Sequence, residues 1–153
     1  MIVGILSDTH GLLRPEAVGA LQGAARIIHA GDVGKPEVLR ALERIAPTVV
    51  VRGNVDRDES AQAWPERLTL RWEGIGIHVL HDLTALLPAD LDADCCLVIS
   101  GHSHLAKLEE RGGVTYLNPG SAGPRRFRLP VTMAKLHLPG DGTFSVEPLV
   151  LLP

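Results

Sequence analysis

The chain has 153 residues, 45% of them hydrophobic and 22% charged, which predicts one compact domain over residues 1–153 with a sizeable core. The net charge of −3 excludes the clustered cationic face that grips a nucleic-acid polymer, so any nucleotide partner should be small. Residues 1–6 are apolar but follow no basic segment, and no later run approaches the roughly 20 apolar residues that span a bilayer. We therefore expect neither a signal peptide nor a membrane partner.

The two cysteines of the chain, Cys95 and Cys96, are adjacent within an apolar stretch. A disulfide between neighbouring residues would be strained, because the bond needs a specific separation of the two Cα atoms. The pair therefore predicts a protein with reduced thiols, which is typical of the cytoplasm.

The first third of the chain predicts alternating strands and helices. Short apolar runs at 2–6, 25–30 and 49–51 are typical of the strands of a buried parallel sheet. Between them, segments 15–23 and 36–45 each carry Pro at or near the start and apolar residues at helical spacing. This order is the βαβαβ pattern.

The rest of the chain predicts shorter strands with antiparallel pairing, because turn residues such as Glu73-Gly74 and Gly112-Gly113 separate apolar segments. The expected strands cover residues 67–72, 75–81, 95–100, 106–111, 114–117, 131–137 and 143–151. The chain as a whole therefore predicts an α/β fold with a mixed second half.

Polar side chains collect where five of these strands end. The carboxyl ends of strands in an open α/β sheet form the crevice in which ligands bind, so these side chains are expected to converge. The residues concerned are Asp8, His10, Asp32, Asn54, His81, His102 and His104. Two acids, four imidazoles and an amide suit divalent ions of borderline softness such as Mn, Ni, Fe, Co or Zn. These seven residues suffice for two such ions if each ion takes four ligands and the two ions share one carboxylate.

Two-metal sites clamp the attacking and leaving oxygens of a phosphoryl displacement, so phosphate ester hydrolysis is the favoured chemistry. Each short motif alone has another interpretation: Asp8 as a helix cap, and His102 or His104 as a hydrogen-bonded loop residue. Five strand ends together favour a shared site. His29 is interpreted as a buried residue behind the site, whereas His78 and His137 are left outside it.

The ordered motifs resemble those of the calcineurin-like metallophosphoesterase superfamily. They are "DTH" at 8–10, "GD" at 31–32, "GN" at 53–54, a strand-end His81 and "GHSH" at 101–104. "NPGS" at 118–121 narrows the resemblance to the small YfcE-type phosphodiesterases. The resemblance implies a four-layer α/β/β/α sandwich of two mixed sheets.

The resemblance also implies the ligands of each metal. Asp8, His10, Asp32 and His104 are expected on one ion, and Asp32, Asn54, His81 and His102 on the other, with Asp32 as the bridge. Mn is the metal expected first. Asp32, Asn54 and His102 are also expected to be catalytic, through a hydroxide that bridges the ions and attacks phosphorus. A homodimer is an expectation at family level only.

Two positions depart from the wider superfamily. Val55 stands where many members have a His that contacts phosphate or protonates the leaving group, so small phosphodiesters with good leaving groups are the expected substrates. Asp82 stands where Gly is common, and it is interpreted as a turn or cap acid, with a place near the second metal as the alternative.

Arg52 and Arg125 are candidates for binding substrate phosphate, because an arginine fork matches phosphate oxygens. Arg52 has the alternative of bracing its loop by pairing with an acid, and the cluster around Arg125 has the alternative of a solvated loop. Other functions remain open: a phosphomonoesterase, or a protein-binding scaffold like the retromer subunit of this fold. A metallo-β-lactamase would need H-x-H-x-D-H, which "HSHLAK" at 102–107 lacks.

Overall fold

Two mixed five-stranded β-sheets form the framework of the computed structural model, which describes all 153 residues. The strands are Ile2–Leu6 (β1), Arg26–His29 (β2), Thr48–Val50 (β3), Arg67–Trp72 (β4), Ile75–Leu80 (β5), Cys95–Ile99 (β6), Lys107–Arg111 (β7), Val114–Asn118 (β8), Val131–His137 (β9) and Ser145–Leu152 (β10). The helices are Pro15–Ala20 (α1) and Pro36–Glu43 (α2), with short 3-10 helices at Ser60–Ala63, Leu83–Ala85 and Pro88–Asp90. The two mixed sheets confirm the predicted fold class.

The first sheet has the order β10-β9-β1-β2-β3. β1, β2 and β3 pair in parallel, as the βαβαβ pattern predicts, whereas β9 and β10 add antiparallel strands beside β1. Leu6 and Ile27 on the outer face pack with Leu21 and Leu42 of the helical segments. Both helices begin with Pro at the first turn, where the missing N–H costs nothing.

The second sheet has the order β4-β5-β6-β8-β7, with β5, β6 and β8 parallel to one another. The main core lies between the two sheets, where Ile5 and Ile28 pack with Ile77, Leu97 and Ile99. No α-helix follows β5, and the 3-10 helix Pro88–Asp90 lies against this strand, where Asp90 is 3.8 Å from the buried His78. The fourth layer of the predicted sandwich is therefore thin.

Two further observations concern the cysteines and the helices. Cys95 and Cys96 are both free thiols, as the sequence predicts. No helix combines the length and the apolar character needed to cross a membrane.

Candidate metal centre

The seven predicted ligands gather in one place, where the carboxyl ends of the strands of both sheets meet. Asp8 and His10 follow β1, Asp32 follows β2, and Asn54 follows β3. The second sheet supplies the others, which follow β5 and β6: His81, His102 and His104. Their ligand atoms form two adjacent groups, Asp8 with His10 and His104, and Asp32 with His81 and His102.

The first group surrounds one oxygen of Asp8. Oδ1 of Asp8 lies 3.7 Å from Nε2 of His10 and 3.4 Å from Nε2 of His104. The two imidazole nitrogens are 3.3 Å apart. Asp8 and His104 are buried, whereas His10 is only half-buried, so this group is open on one side.

The second group centres on Asp32. Oδ2 of Asp32 is 3.1 Å from Nε2 of His81, and the rings of His81 and His102 meet edge to face with centroids 5.2 Å apart. The side-chain amide of Asn54 lies 3.2 Å from Nε2 of His81 and from both oxygens of Asp32. In the orientation without a metal ion the amide NH₂ donates to these acceptors, and the opposite orientation would turn the amide oxygen towards a cation.

Asp32 lies between the two groups. The same Oδ2 that contacts His81 is 3.6 Å from Nε2 of His10 in the first group. A carboxylate oxygen in this position is able to contact ions on both sides, which fits the bridging role predicted for Asp32.

The ligands also fit a cation on a physical ground. Oδ1 of Asp8 is fully buried and receives no hydrogen bond, although three imidazole nitrogens surround it within 3.8 Å. A buried carboxylate oxygen without a donor carries a large desolvation cost. A divalent ion among these atoms would remove that cost and would accept the imidazole lone pairs.

Hydrogen bonds behind the ligands set their orientation. Nδ1 of His81 lies 2.7 Å from the carbonyl oxygen of Ala30, so this nitrogen donates and leaves Nε2 free to face the site. Oδ2 of Asp8 accepts from Oγ of Ser7 at 2.7 Å and from the N–H of His102 at 3.1 Å. Because Oδ2 is used in this way, Oδ1 is the oxygen left to the metal centre.

The electrostatics of Asp32 and His81 are coupled. Burial acts to raise the pKa of Asp32, but hydrogen bonds from His81 and from the N–H of Val55 outweigh it and hold that pKa below its ordinary value. Burial acts to lower the pKa of His81, but its hydrogen bond to Asp32 raises that pKa.

Five ligands have left-handed backbone conformations, which L-residues adopt rarely. Their φ angles are 56° for Asp8, 45° for His10, 57° for Asp32, 74° for His102 and 63° for His104. Only two other non-glycine residues in the chain have positive φ. Backbone strain of this kind clusters at functional sites, so its concentration here is independent support for one.

Asp56, which the sequence indicates only as an acid that braces its loop, has a specific structural role in the site. Its buried carboxylate accepts hydrogen bonds from four N–H groups: those of Asp32 at 2.9 Å, Val33 at 3.3 Å, Gly34 at 3.1 Å and Gly53 at 2.8 Å. These donors belong to the loops after β2 and β3. Asp56 therefore fixes the two loops that carry Asp32 and Asn54, and its position two residues after Asn54 was the only signal in the sequence.

His29 and Asn118 also support the site from behind. Nδ1 of His29 accepts from the N–H of Gly31 at 3.1 Å, and its Nε2 lies 3.0 Å from Oγ1 of Thr9. Full burial lowers the pKa of His29 to about 3, so the ring is neutral. Asn118, in the "NPGS" motif, donates to the carbonyl oxygen of Gly101 at 2.9 Å and steadies the "GHSH" loop.

The two candidate arginines differ in position. Arg52 lines a cavity together with Asn54 and His81, but its guanidinium also pairs with Glu66 at 2.9 Å, so the bracing role is present as well. Arg125 is not brought into the site, because its guanidinium donates to the carbonyl oxygens of Leu129 and Pro153. Burial is the main cause that lowers the pKa of His104. The neighbouring Arg126 also lowers that pKa, whereas Asp8 raises it.

Asp82 is a capping acid, as the preferred interpretation of the sequence predicts. Its Oδ1 accepts from the N–H of Thr84 at 3.0 Å and from Oγ1 of Thr84 at 2.8 Å, at the start of the 3-10 helix Leu83–Ala85. Its other oxygen lies 3.9 Å from Nε2 of His102. The acid therefore stands beside the second group as well as capping the turn.

Comparison with known proteins places this geometry in a family. A family model described as the calcineurin-like phosphoesterase superfamily domain matches residues 1–141. A probable metallophosphoesterase from Methanothermobacter thermautotrophicus is 33% identical over 153 residues, which cover 92% of this chain and 88% of the relative. These matches confirm the resemblance inferred from the motifs.

Solved structures share the same fold. An archaeal phosphodiesterase superposes with a TM-score of 0.79 at 22% sequence identity, over 97% of this chain and 100% of that one. Vps29 from Cryptosporidium parvum superposes with a TM-score of 0.77 at 20% identity, over 99% of this chain and 98% of that one. At these identities the likeness concerns the fold alone.

Proposed function

We propose, because this chain belongs to the calcineurin-like phosphoesterase superfamily, that it is a metal-dependent phosphodiesterase that hydrolyses small phosphodiesters with two divalent ions. One observation carries the proposal: two ligand groups lie side by side around Asp32, and a buried oxygen of Asp8 beside them has no donor. That arrangement supports a site for two cations.

The seven residues would form two ligand sets, one for each ion. Asp8, His10 and His104 would hold the first ion, Asn54, His81 and His102 the second, and Asp32 would contact both. When bound, a pair of divalent ions makes water nucleophilic near neutral pH and neutralises charge on the phosphoryl oxygens. Mn is the metal proposed first, and the mixed nitrogen and oxygen ligands also suit Ni, Fe, Co and Zn.

Val55 limits the substrate. Its N–H donates to Oδ1 of Asp32 at 3.1 Å, and its side chain is 42% exposed beside the site. The apolar side chain provides no proton for a leaving alkoxide, so substrates whose leaving groups have a low pKa are favoured. Diesters that release phenols meet this condition. The archaeal phosphodiesterase of the same fold is consistent with this assignment.

The proposal is tested by measuring hydrolysis of an aryl phosphodiester and of the matching monoester with Mn- or Ni-loaded protein. We expect the diester to be the better substrate and Asp32→Ala and His102→Ala to lose nearly all turnover. Asp58→Ala changes an exposed acid in the loop beyond Asp56 and serves as the matched control. Full turnover in Asp32→Ala, or a clear preference for the monoester, would overturn the proposal.

One observation favours a second candidate, a protein-binding scaffold. Leu12 and Leu105 lie next to ligand loops and are 39% and 52% exposed, so apolar side chains surround the polar centre. Vps29 has the same fold. The complete set of seven ligands is the argument against a purely structural role. Protein that binds metal but hydrolyses no diester would favour the scaffold.

A further inference from the structure

We infer that the cavity beside His102 binds the leaving group of the substrate, and that this group carries a planar aromatic ring. The inference rests on the proposed phosphodiesterase function. The cavity has a volume of about 320 Å³, and Gly101, His102 and Ser103 of the second metal group's loop form part of its wall. Ligand cavities of this size hold compact organic groups.

The wall of the cavity opposite His102 is the polar face of the β7–β8 hairpin. Side chains alternate along a strand, so Lys107, Glu109 and Arg111 share one face of β7. The register pairs Glu109 with Tyr116 of β8, which places the tyrosine ring on this same face. The cavity that adjoins the metal centre therefore has the ring of Tyr116 in its wall.

Tyr116 and Arg111 form a stacked pair in the wall of the cavity. The guanidinium of Arg111 lies over the ring of Tyr116, 4.2 Å from its centroid. Planar guanidinium groups and aromatic rings both stack on nucleobases and aryl rings, and such stacking does not depend on the identity of the base. The pair thus offers a stacking surface in the cavity wall.

The charges of the cavity argue against a second phosphate as the bound group. Glu109 pairs with Arg111 at 3.2 Å and with Lys107 at 3.5 Å. Lys107 and Arg111 share this one acid, but Asp82 also lines the cavity, so two acids balance the two cations and leave no net positive charge for a second phosphate. A neutral ring with polar edges fits this environment better.

The second cavity beside His102 lacks these features. It has a volume of about 220 Å³ and is lined by Arg52 and Arg67 but by no aromatic residue. Arg52 is paired with Glu66, and Arg67 is paired with Asp90. The aromatic group is therefore assigned to the Tyr116 side.

The first test is a binding measurement that needs no catalysis. Tyr116 is the only tyrosine of the chain, so protein labelled with ¹³C-tyrosine gives ring signals from this residue alone. Zn-loaded protein is titrated with phenylphosphonate and, as a matched anion without a ring, with methylphosphonate. We expect phenylphosphonate alone to shift the Tyr116 ring signals. Equal shifts with both probes, or none with either, would overturn the inference.

The second test is kinetic. Tyr116→Leu is expected to raise KM for an aryl phosphodiester about tenfold with little change in kcat, in line with the effect of removing a stacking ring. Tyr116→Phe, which keeps the ring, should raise KM much less. Leu108→Ala alters the opposite face of β7 and serves as the control, with KM unchanged.

The two tests separate this inference from the proposed function. An unchanged KM in Tyr116→Leu would overturn the aromatic cavity while the phosphodiesterase assignment stands. A ring shift with phenylphosphonate in a protein without diesterase activity would support the cavity and overturn the assignment. Metal content and circular dichroism of each variant confirm that the centre and the fold are intact.

Discussion

At the residue scale, the acid with the largest expected effect on folding is one that contacts no metal. Asp56 is 5% exposed and accepts four backbone hydrogen bonds. Hydrogen bonds to a charged group contribute about 1.5–3 kcal/mol each, and a buried donor left unpaired costs about as much. We expect Asp56→Asn to lower the free energy of unfolding by about 2–4 kcal/mol, because its amide NH₂ would face N–H donors.

Urea denaturation of metal-free protein measures this effect. Asp58→Asn, two residues further along and exposed, is the matched control and should unfold as the wild type does. A midpoint for Asp56→Asn equal to that of the wild type would show that the four hydrogen bonds contribute little.

His29 predicts a dependence of stability on pH. Burial lowers its pKa from the ordinary 6.5 to about 3, so the ring takes up a proton on unfolding at any pH between those values. The unfolded state then binds more protons, and stability falls as pH falls below 6.5, by about 1.4 kcal/mol per pH unit. Metal-free wild type should therefore lose about 2 kcal/mol more than His29→Gln between pH 7 and pH 5.

Denaturation at the two pH values gives this difference directly. Comparison with His29→Gln removes the contributions of the other titrating groups, which both proteins share. Equal pH dependence in the two proteins would mean that His29 takes up its proton as readily in the folded state as in the unfolded state.

Residue identities in the sequence predicted the residues that gather at the site and placed His29 behind them, but they did not predict how the other supporting residues act. Asp8 and His104 stand out because acids and imidazoles directly after buried strands have few other uses. Asp56 looks like any loop acid, since nothing local in the sequence indicates that four N–H groups from two separate loops will meet it. Arg125 is the converse case, because its motif suggested phosphate binding while two carbonyl groups use its guanidinium.

At the element scale, the strands were predictable because their signals are local. β1, β4 and β9 have the bounds that the apolar pattern predicts, and most other strands differ by one or two residues. The 3-10 helices were not predicted, since each has only three or four residues and shows no periodicity. The two α-helices end earlier than the apolar pattern predicts, at Ala20 and Glu43.

The approach of the loop after β6 to the loop after β1 depends on Gly101. A Cβ at this position would overlap Oγ of Ser7 and come within 2.7 Å of Oδ2 of Asp8. We expect Gly101→Ala to separate the two loops, to weaken metal binding strongly and to lower stability by about 1–3 kcal/mol through overpacking. Isothermal titration with Mn and thermal unfolding measure the two effects.

Gly19 provides the matched control for this substitution. It lies in α1, and a Cβ there meets nothing within 4 Å. Gly19→Ala should leave metal binding unchanged and stabilise the helix by about 0.5–1 kcal/mol, because alanine loses less conformational entropy than glycine. Normal metal binding in Gly101→Ala would contradict the close packing of the two loops.

At the scale of the whole molecule, the site depends on both sheets, and that is why its existence was predictable while its details were not. Strand order brings the loop with Asp8 and the loop with His102 together, although the residues are far apart in sequence. The general rule for strand ends predicts this meeting. The cavity beside Tyr116 depends on the register of one hairpin and on two salt bridges, which no sequence rule supplies.

Because the ligands come from both sheets, metal binding should stabilise the entire fold. A ligand that binds only the folded state adds about 2.7 kcal/mol at a hundred times its Kd, and about 4.1 kcal/mol at a thousand times. Mn added to chelator-treated protein should therefore raise the thermal midpoint with increasing concentration. His104→Ala, which removes a ligand from the first group only, should keep a smaller rise from the second.

Asp32→Ala separates a shared centre from two independent sites. If Asp32 contacts both ions, its loss weakens both, and the rise in thermal midpoint with Mn should nearly vanish. If the groups were independent, Asp32→Ala would retain the rise due to Asp8, His10 and His104, as the His102→Ala variant should. Differential scanning calorimetry of the three variants across a range of Mn concentrations measures this, and equal rises in Asp32→Ala and His102→Ala would contradict a bridging carboxylate.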